Sequence, residues 1–109
     1  MPATNEKAVQ PTRFPDRWSK DLIGTEAIPT TSGFNLGRAN YTATEFGDPQ
    51  VHADQEAVFV FAGVGEIKVG EEIIPLEPGV AVYVGPGVKH CARRTGDAPV
   101  QVVYCHGAI

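Results

Sequence analysis

Long apolar runs are missing from this chain of 109 residues, whose densest hydrophobic stretches are strand-sized and too short to span a bilayer. Basic residues are also scarce. The 9 Lys and Arg stand against 13 Asp and Glu, for a formal net charge of -4. Phosphate binding needs clustered cations, so nucleic acid is not an expected partner. The one adjacent basic pair, Arg93-Arg94, reads as an exposed charged turn. Cysteine is limited to Cys91 and Cys105, which form neither a CxxC motif nor the disulfide framework of a small secreted domain, and both read as small buried hydrophobes. The N-terminus lacks the basic-then-apolar layout of a secretory signal, so a soluble, cytoplasmic protein is expected. There is no long amphipathic helix pattern and no Ser/His/Asp arrangement. Gly63-Val64-Gly65-Glu66 is a poor nucleotide loop, because no helix pattern follows it.

What the chain does have is turn punctuation. Residues 1–22 are polar and broken by Pro2, Pro11 and Pro15, which predicts a mobile or draped arm. Within it Phe14 and Trp18 pack on the chain's own domain or on a second subunit, and Ser19 to Leu22 form at most a helical turn. From Ile23 to the end, 23–109, apolar runs of strand length alternate with Gly, Pro, Asp and Asn. Strands are predicted near 24–28, 34–46, 50–53, 56–62, 64–69, 72–76, 80–84, 88–95 and 99–106, with a hairpin at Gly70-Glu71 and turns at Pro78-Gly79, Gly85-Pro86-Gly87 and Thr95-Gly96-Asp97. So many short strands in one small domain predict an all-β closed barrel or double-sheet jelly roll.

Strand 56–62 bears on assembly. If Glu56, Val58 and Val60 point inward, Ala57, Phe59 and Phe61 point outward, because side chains alternate along a strand. Two phenylalanines on one outer face call for a cover, and a homodimer is the expected one.

A metal site built on strands needs ligands at i, i+2 spacing plus ligands from other strands. Gln50 and His52 have that spacing, Glu56 follows across a short turn, and His90 comes from a distant strand after a glycine-proline turn. Imidazoles with one carboxylate suit a divalent cofactor such as Zn, Fe, Ni, Mn or Cu. A lone histidine is more often a surface or hydrogen-bonded residue, so the weight rests on the combination. Asp54 shares i, i+2 spacing with His52 and is a rival ligand, but its neighbourhood reads as a solvated turn. His106 reads as a frayed terminal residue; were the last hairpin centred on Ala98, it would face His90 and act as a base or proton shuttle near the metal, with Cys91 facing Cys105. Tyr41, Tyr83, Tyr104, Phe46 and Arg38 are candidates to line the pocket.

The combined pattern resembles the cupin family over roughly residues 35–106. Three residues separate His52 from Glu56 and six separate Glu56 from Gly63, as in the first cupin motif. Gly79, Pro86, Gly87 and His90 resemble the second, with Gly85 in the usual proline place. Gln50 stands where that family has its first histidine, and Arg94 where it often has asparagine. The resemblance implies a double-stranded β-helix barrel holding a metal in its mouth through Gln50, His52, Glu56 and His90. Gln50 is a weaker, neutral ligand, which leaves a two-histidine, one-carboxylate set of the kind non-haem iron oxygenases use. The expected function is a small metalloenzyme, dioxygenase-like or a metal-assisted lyase or isomerase, acting on a small oxygen-bearing organic substrate. The alternative is a non-catalytic module that binds or senses a small ligand in the same pocket.

Overall fold

The computed structural model describes residues 2–107. Met1 and residues 108–109, the outer ends of the expected 1–22 and 23–109 segments, lie outside them. Among the described residues, nine strands follow a short 3-10 turn, Glu6–Ala8. A six-stranded antiparallel sheet joins β1 (Thr12–Arg13), β2 (Arg17–Ile23), β3 (Asn35–Tyr41), β9 (Val100–Gly107), β4 (Gln55–Ala62) and β7 (Ala81–Val84) in that order. A three-stranded sheet joins β6 (Glu72–Leu76), β5 (Gly65–Val69) and β8 (His90–Arg94). Their inner faces meet in one β-barrel core of the predicted all-β class, which buries Val58 and Val60 of β4, Ile67 of β5, Leu76 of β6, Val82 and Val84 of β7, and Val100 and Val102 of β9.

Alternation places these residues. Along β4, Val58 and Val60 are buried while Phe59 and Phe61 remain 48% and 43% exposed, as the sequence pattern predicts. The β5–β6 hairpin turns at Gly70, whose φ of 59° is one that L side chains rarely adopt.

The N-terminal stretch differs from the predicted arm. Its second half is sheet: β2 pairs along β3 with Arg17 opposite Tyr41, Ser19 opposite Ala39 and Lys20 opposite Arg38. The expected helical turn at Ser19–Leu22 is therefore strand, because backbone pairing with β3 overrides weak local propensity. The 22/23 division falls inside β2. The strand predicted over 24–28 is absent, because the chain closes on itself there. Gly24 and Thr25 N–H both donate to the Ile28 carbonyl, at 2.9 and 3.0 Å, and Thr25 Oγ1 accepts from Ile28 N–H.

β3 stops at Tyr41 rather than running to 46, since Thr42 and Ala43 N–H turn to the Asp16 carbonyl. Segment 42–54 then carries no regular strand, and Gln50 alone makes a β-bridge, with His90. Arg93 and Arg94 lie in β8 rather than in a turn; Arg93 pairs with Glu66 at 2.6 Å and Arg94 donates to the Thr42 carbonyl. Among the described residues, no helix is long and apolar enough to cross a membrane.

Candidate metal centre

Local backbone bonds bring two distant histidines together. Gln50 and His90 exchange both N–H···O bonds, at 2.8 and 3.0 Å, and Gly87 N–H donates to the His52 carbonyl at 2.9 Å. Gly87 takes a φ of 72°, so the Gly85-Pro86-Gly87 turn depends on a glycine there. Segment 50–56 is thereby laced onto the start of β8. His52 Nε2, Glu56 Oε1 and His90 Nε2 converge, at 3.1 Å between His52 and Glu56, 3.2 Å between His90 and Glu56, and 3.3 Å between the two imidazoles. Metal-ligand bonds of 2.0–2.2 Å put neighbouring ligand atoms about 2.9–3.4 Å apart, so these spacings suit one ion.

The proton inventory points the same way. His90 Nδ1 faces the Val88 carbonyl at 3.0 Å, and His52 Nδ1 faces the Asp54 carbonyl at 3.2 Å and Asp54 Oδ1 at 2.6 Å. Oxygens of these kinds accept, so both Nδ1 atoms donate to them, and a ring with no second proton leaves its Nε2 bare. In that state two bare nitrogens and a carboxylate oxygen lie within 3.3 Å with no hydrogen to share among them. Such a trio needs a cation or an added proton between its members.

Electrostatics without metal follow the proton route. For Glu56, burial opposes ionisation, but hydrogen bonds from His106 and His90 outweigh it and hold the carboxyl at about 2. For His90, burial opposes charging and is outweighed by the bonds to Glu56 and the Val88 carbonyl, so its pKa rises. His106 rises chiefly through its hydrogen bond to Glu56.

His106 is neither frayed nor paired with His90. β8 and β9 belong to different sheets, the Thr95–Pro99 link carrying the chain across, so the hairpin centred on Ala98 does not form. His106 instead sits opposite Glu56 on β4. Its Nε2 lies 3.5 Å from Glu56 Oε2, its Nδ1 3.4 Å from Asp54 Oδ2, and its ring stacks on His52 with centroids 4.6 Å apart. His106 thus reaches the cluster by a register that the sequence does not show. Asp54, read as a solvated turn acid, is built into the cluster, and the His52-Ala53-Asp54 spacing was its signal.

Gln50, Glu56, His90 and His106 line a cavity of about 250 Å³ inside the barrel. Tyr41 and Tyr104 line it as predicted, and burial raises both phenol pKa values well above the ordinary range. Three other candidates stand elsewhere. Arg38 alternates to the outer face, donating to the Ala39 and Val102 carbonyls beneath Phe61. Tyr83 is exposed on β7, and Phe46 stacks against Arg93. In their place the cavity recruits Arg17, Ser19 and Asp21 from β2, and Asn35 from β3. An apolar inner face is what marks a strand in sequence, and here that face is polar. The alternation Arg17-x-Ser19-x-Asp21 was the available signal.

A family model described as Cupin domain matches residues 39–106. Solved structures of similar fold include a predicted oxalate decarboxylase from Thermotoga maritima, at 14% identity and TM-score 0.81, with all of both chains covered. An ectoine synthase from P. lautus superimposes at 21% identity and TM-score 0.81, covering 98% of this chain and 78% of the other. The polyketide cyclase RemF from Streptomyces resistomycificus gives 15% identity and TM-score 0.78, with 98% and 79% covered. At these identities the likeness carries the fold alone. No curated protein matches the chain.

Proposed function

The chain belongs to the cupin domain family, and on that premise we propose that it is a metal-dependent enzyme acting on a small oxygen-bearing organic molecule held in the barrel cavity. One observation carries this reading: two imidazoles with hydrogen-bonded Nδ1 atoms turn their Nε2 atoms towards each other and towards Glu56 within 3.3 Å. In this proposal His52, Glu56 and His90 hold a divalent ion, and Gln50, on the same cavity wall, offers an amide oxygen as a weaker fourth donor. A bound zinc, nickel or manganese ion supplies Lewis acidity, and iron(II) supplies dioxygen activation. Asp54 fixes the His52 tautomer. His106, with Nε2 on Glu56 Oε2, holds a proton beside the cavity.

Elemental analysis of the purified protein tests this, followed by oxygen-electrode screening of the iron(II) form and product analysis of the zinc form. The expected result is one divalent ion per chain, lost in His90→Ala together with turnover. A wild-type protein without divalent metal, matched by His90→Ala in every assay, overturns it.

Binding without turnover is the second reading, favoured by Gln50 at a ligand position where imidazole would bind more tightly. A ligand-induced rise in melting temperature with neither product nor oxygen uptake supports that module. We also propose that the chain works as a homodimer. The support is Phe59 and Phe61, side by side and about half exposed on the outer face of β4.

A further inference from the structure

The inner face of β2 is unusual for a barrel strand. Its inward residues are Arg17, Ser19 and Asp21, while the neighbouring walls bury Val58, Val60, Val100 and Val102. Polar side chains facing a barrel interior cost stability unless they meet partners. Asp21 accepts from the Tyr104 hydroxyl at 2.6 Å, and Glu56 is engaged by three histidines. Arg17 is different. It commits one N–H to Asp16 Oδ1 at 2.8 Å and lays its guanidinium 4.0 Å over the Phe14 ring. A guanidinium has five N–H donors, so most of its hydrogen-bonding capacity stays available where it lines the cavity. It is also the one Lys or Arg among the cavity-lining residues described.

Arg17 stands directly opposite Tyr41 in the β2–β3 register, so a cation and a neutral phenol share one patch of wall. Both belong to the same cavity as Glu56 and His90. We propose that Arg17 and Tyr41 form a carboxylate subsite, and that the ligand is a small organic acid whose far end lies at the His52, Glu56 and His90 centre. A planar fork of N–H groups beside a hydroxyl donor matches a carboxylate and has nothing comparable to offer an amine or a hydrocarbon. At about 250 Å³ the cavity is at the small end of ligand pockets, which suits a small acid. Arg17 precedes residues 39–106, so the cation of the subsite comes from outside the family match, while Tyr41 lies within it. The proposal rests on the metal-centre reading for the far end of the ligand and on Arg17 and Tyr41 for the near end.

Calorimetric titration of the zinc-loaded protein with glycolate, pyruvate and malonate, each beside its uncharged amide, tests the subsite. At least one acid is expected to bind one per chain, at least tenfold tighter than its amide. Arg17→Gln should lower that affinity at least tenfold with zinc content unchanged. Arg17→Lys, which keeps the charge but not the fork, should fall between, and Tyr41→Phe, which removes one hydroxyl, should weaken binding severalfold. If Arg17→Gln does not fold, the Arg17→Lys and Tyr41→Phe results decide. Acid binding that is equal in the folded variants and wild type, or absent from wild type, overturns the subsite. If the wild type retains no zinc, the metal reading fails, and the same titration of metal-free protein then supports or overturns the subsite through its dependence on Arg17.

Discussion

Asp54 Oδ1 lies 2.6 Å from His52 Nδ1, the closest contact in the cluster of histidines and carboxylates. The same carboxylate turns its other oxygen to His106, 3.4 Å away. Asp54 therefore fixes the tautomer of one ring while braced by a second. Asp54→Asn should retain the fold and weaken zinc binding about 10–100-fold, read by competition with a chromophoric chelator. Unchanged affinity would remove Asp54 from the account.

The metal-free protein should be most stable between about pH 4.5 and 6.5. Glu56 is held at about 2, below its ordinary 4.5, so its contribution is complete above 4.5 and fades as pH falls towards 2. His90 and His106 are raised above 6.5, so theirs is complete below 6.5 and is lost as pH climbs through the raised values. Zinc binding needs bare Nε2 atoms and should strengthen over that same upper range. Melting temperatures with chelator and with zinc, from pH 2 to 9, check both limbs; a metal-free curve that rises from pH 6.5 to 8 contradicts the scheme.

Ile67 ties the barrel core to the cavity. It is 1% exposed and packs with the valines of the facing sheet while also lining the ligand space. Ile67→Ala should cost about 2–5 kcal/mol in urea unfolding, through lost burial and the void left behind. A loss under 1 kcal/mol would mean that the neighbouring strands close the gap.

The outer face of β4 gives a separate test. Phe59→Ser should leave the melting temperature of the isolated chain nearly unchanged, because Phe59 is 48% exposed there. It should convert a dimer to monomer in light scattering. A wild type that is monomeric at all concentrations removes the proposed assembly.

Much of this was legible from residue order, and what was not shares a cause. β4 to β7 follow from short apolar runs between glycine and proline turns, and β6 matches its predicted span, 72–76. His52, Glu56 and His90 were singled out by their spacing together with the resemblance to the cupin motifs, and their ring nitrogens and carboxylate do lie within 3.3 Å of one another. β2 was missed because its cavity-facing residues are polar and three prolines surround it, so a periodicity argument that looks for an apolar inner face passes over it. His106 and Asp54 were undervalued because strand pairing between residues 50 positions apart, His106 with Glu56, leaves no local trace.

The lacing of segment 42–54 onto β8 has a consequence for how the chain breathes. His52 and His90 are 38 positions apart, and the stretch that delivers His52 has no ladder of its own beyond a single bridge. An ion gripped by both would act as a rivet, closing that span at an entropic cost the folded barrel has already met. Stripped of the rivet, this stretch is where the shell opens first, and a protease added after chelation should nick the chain there before it touches the strands on either side.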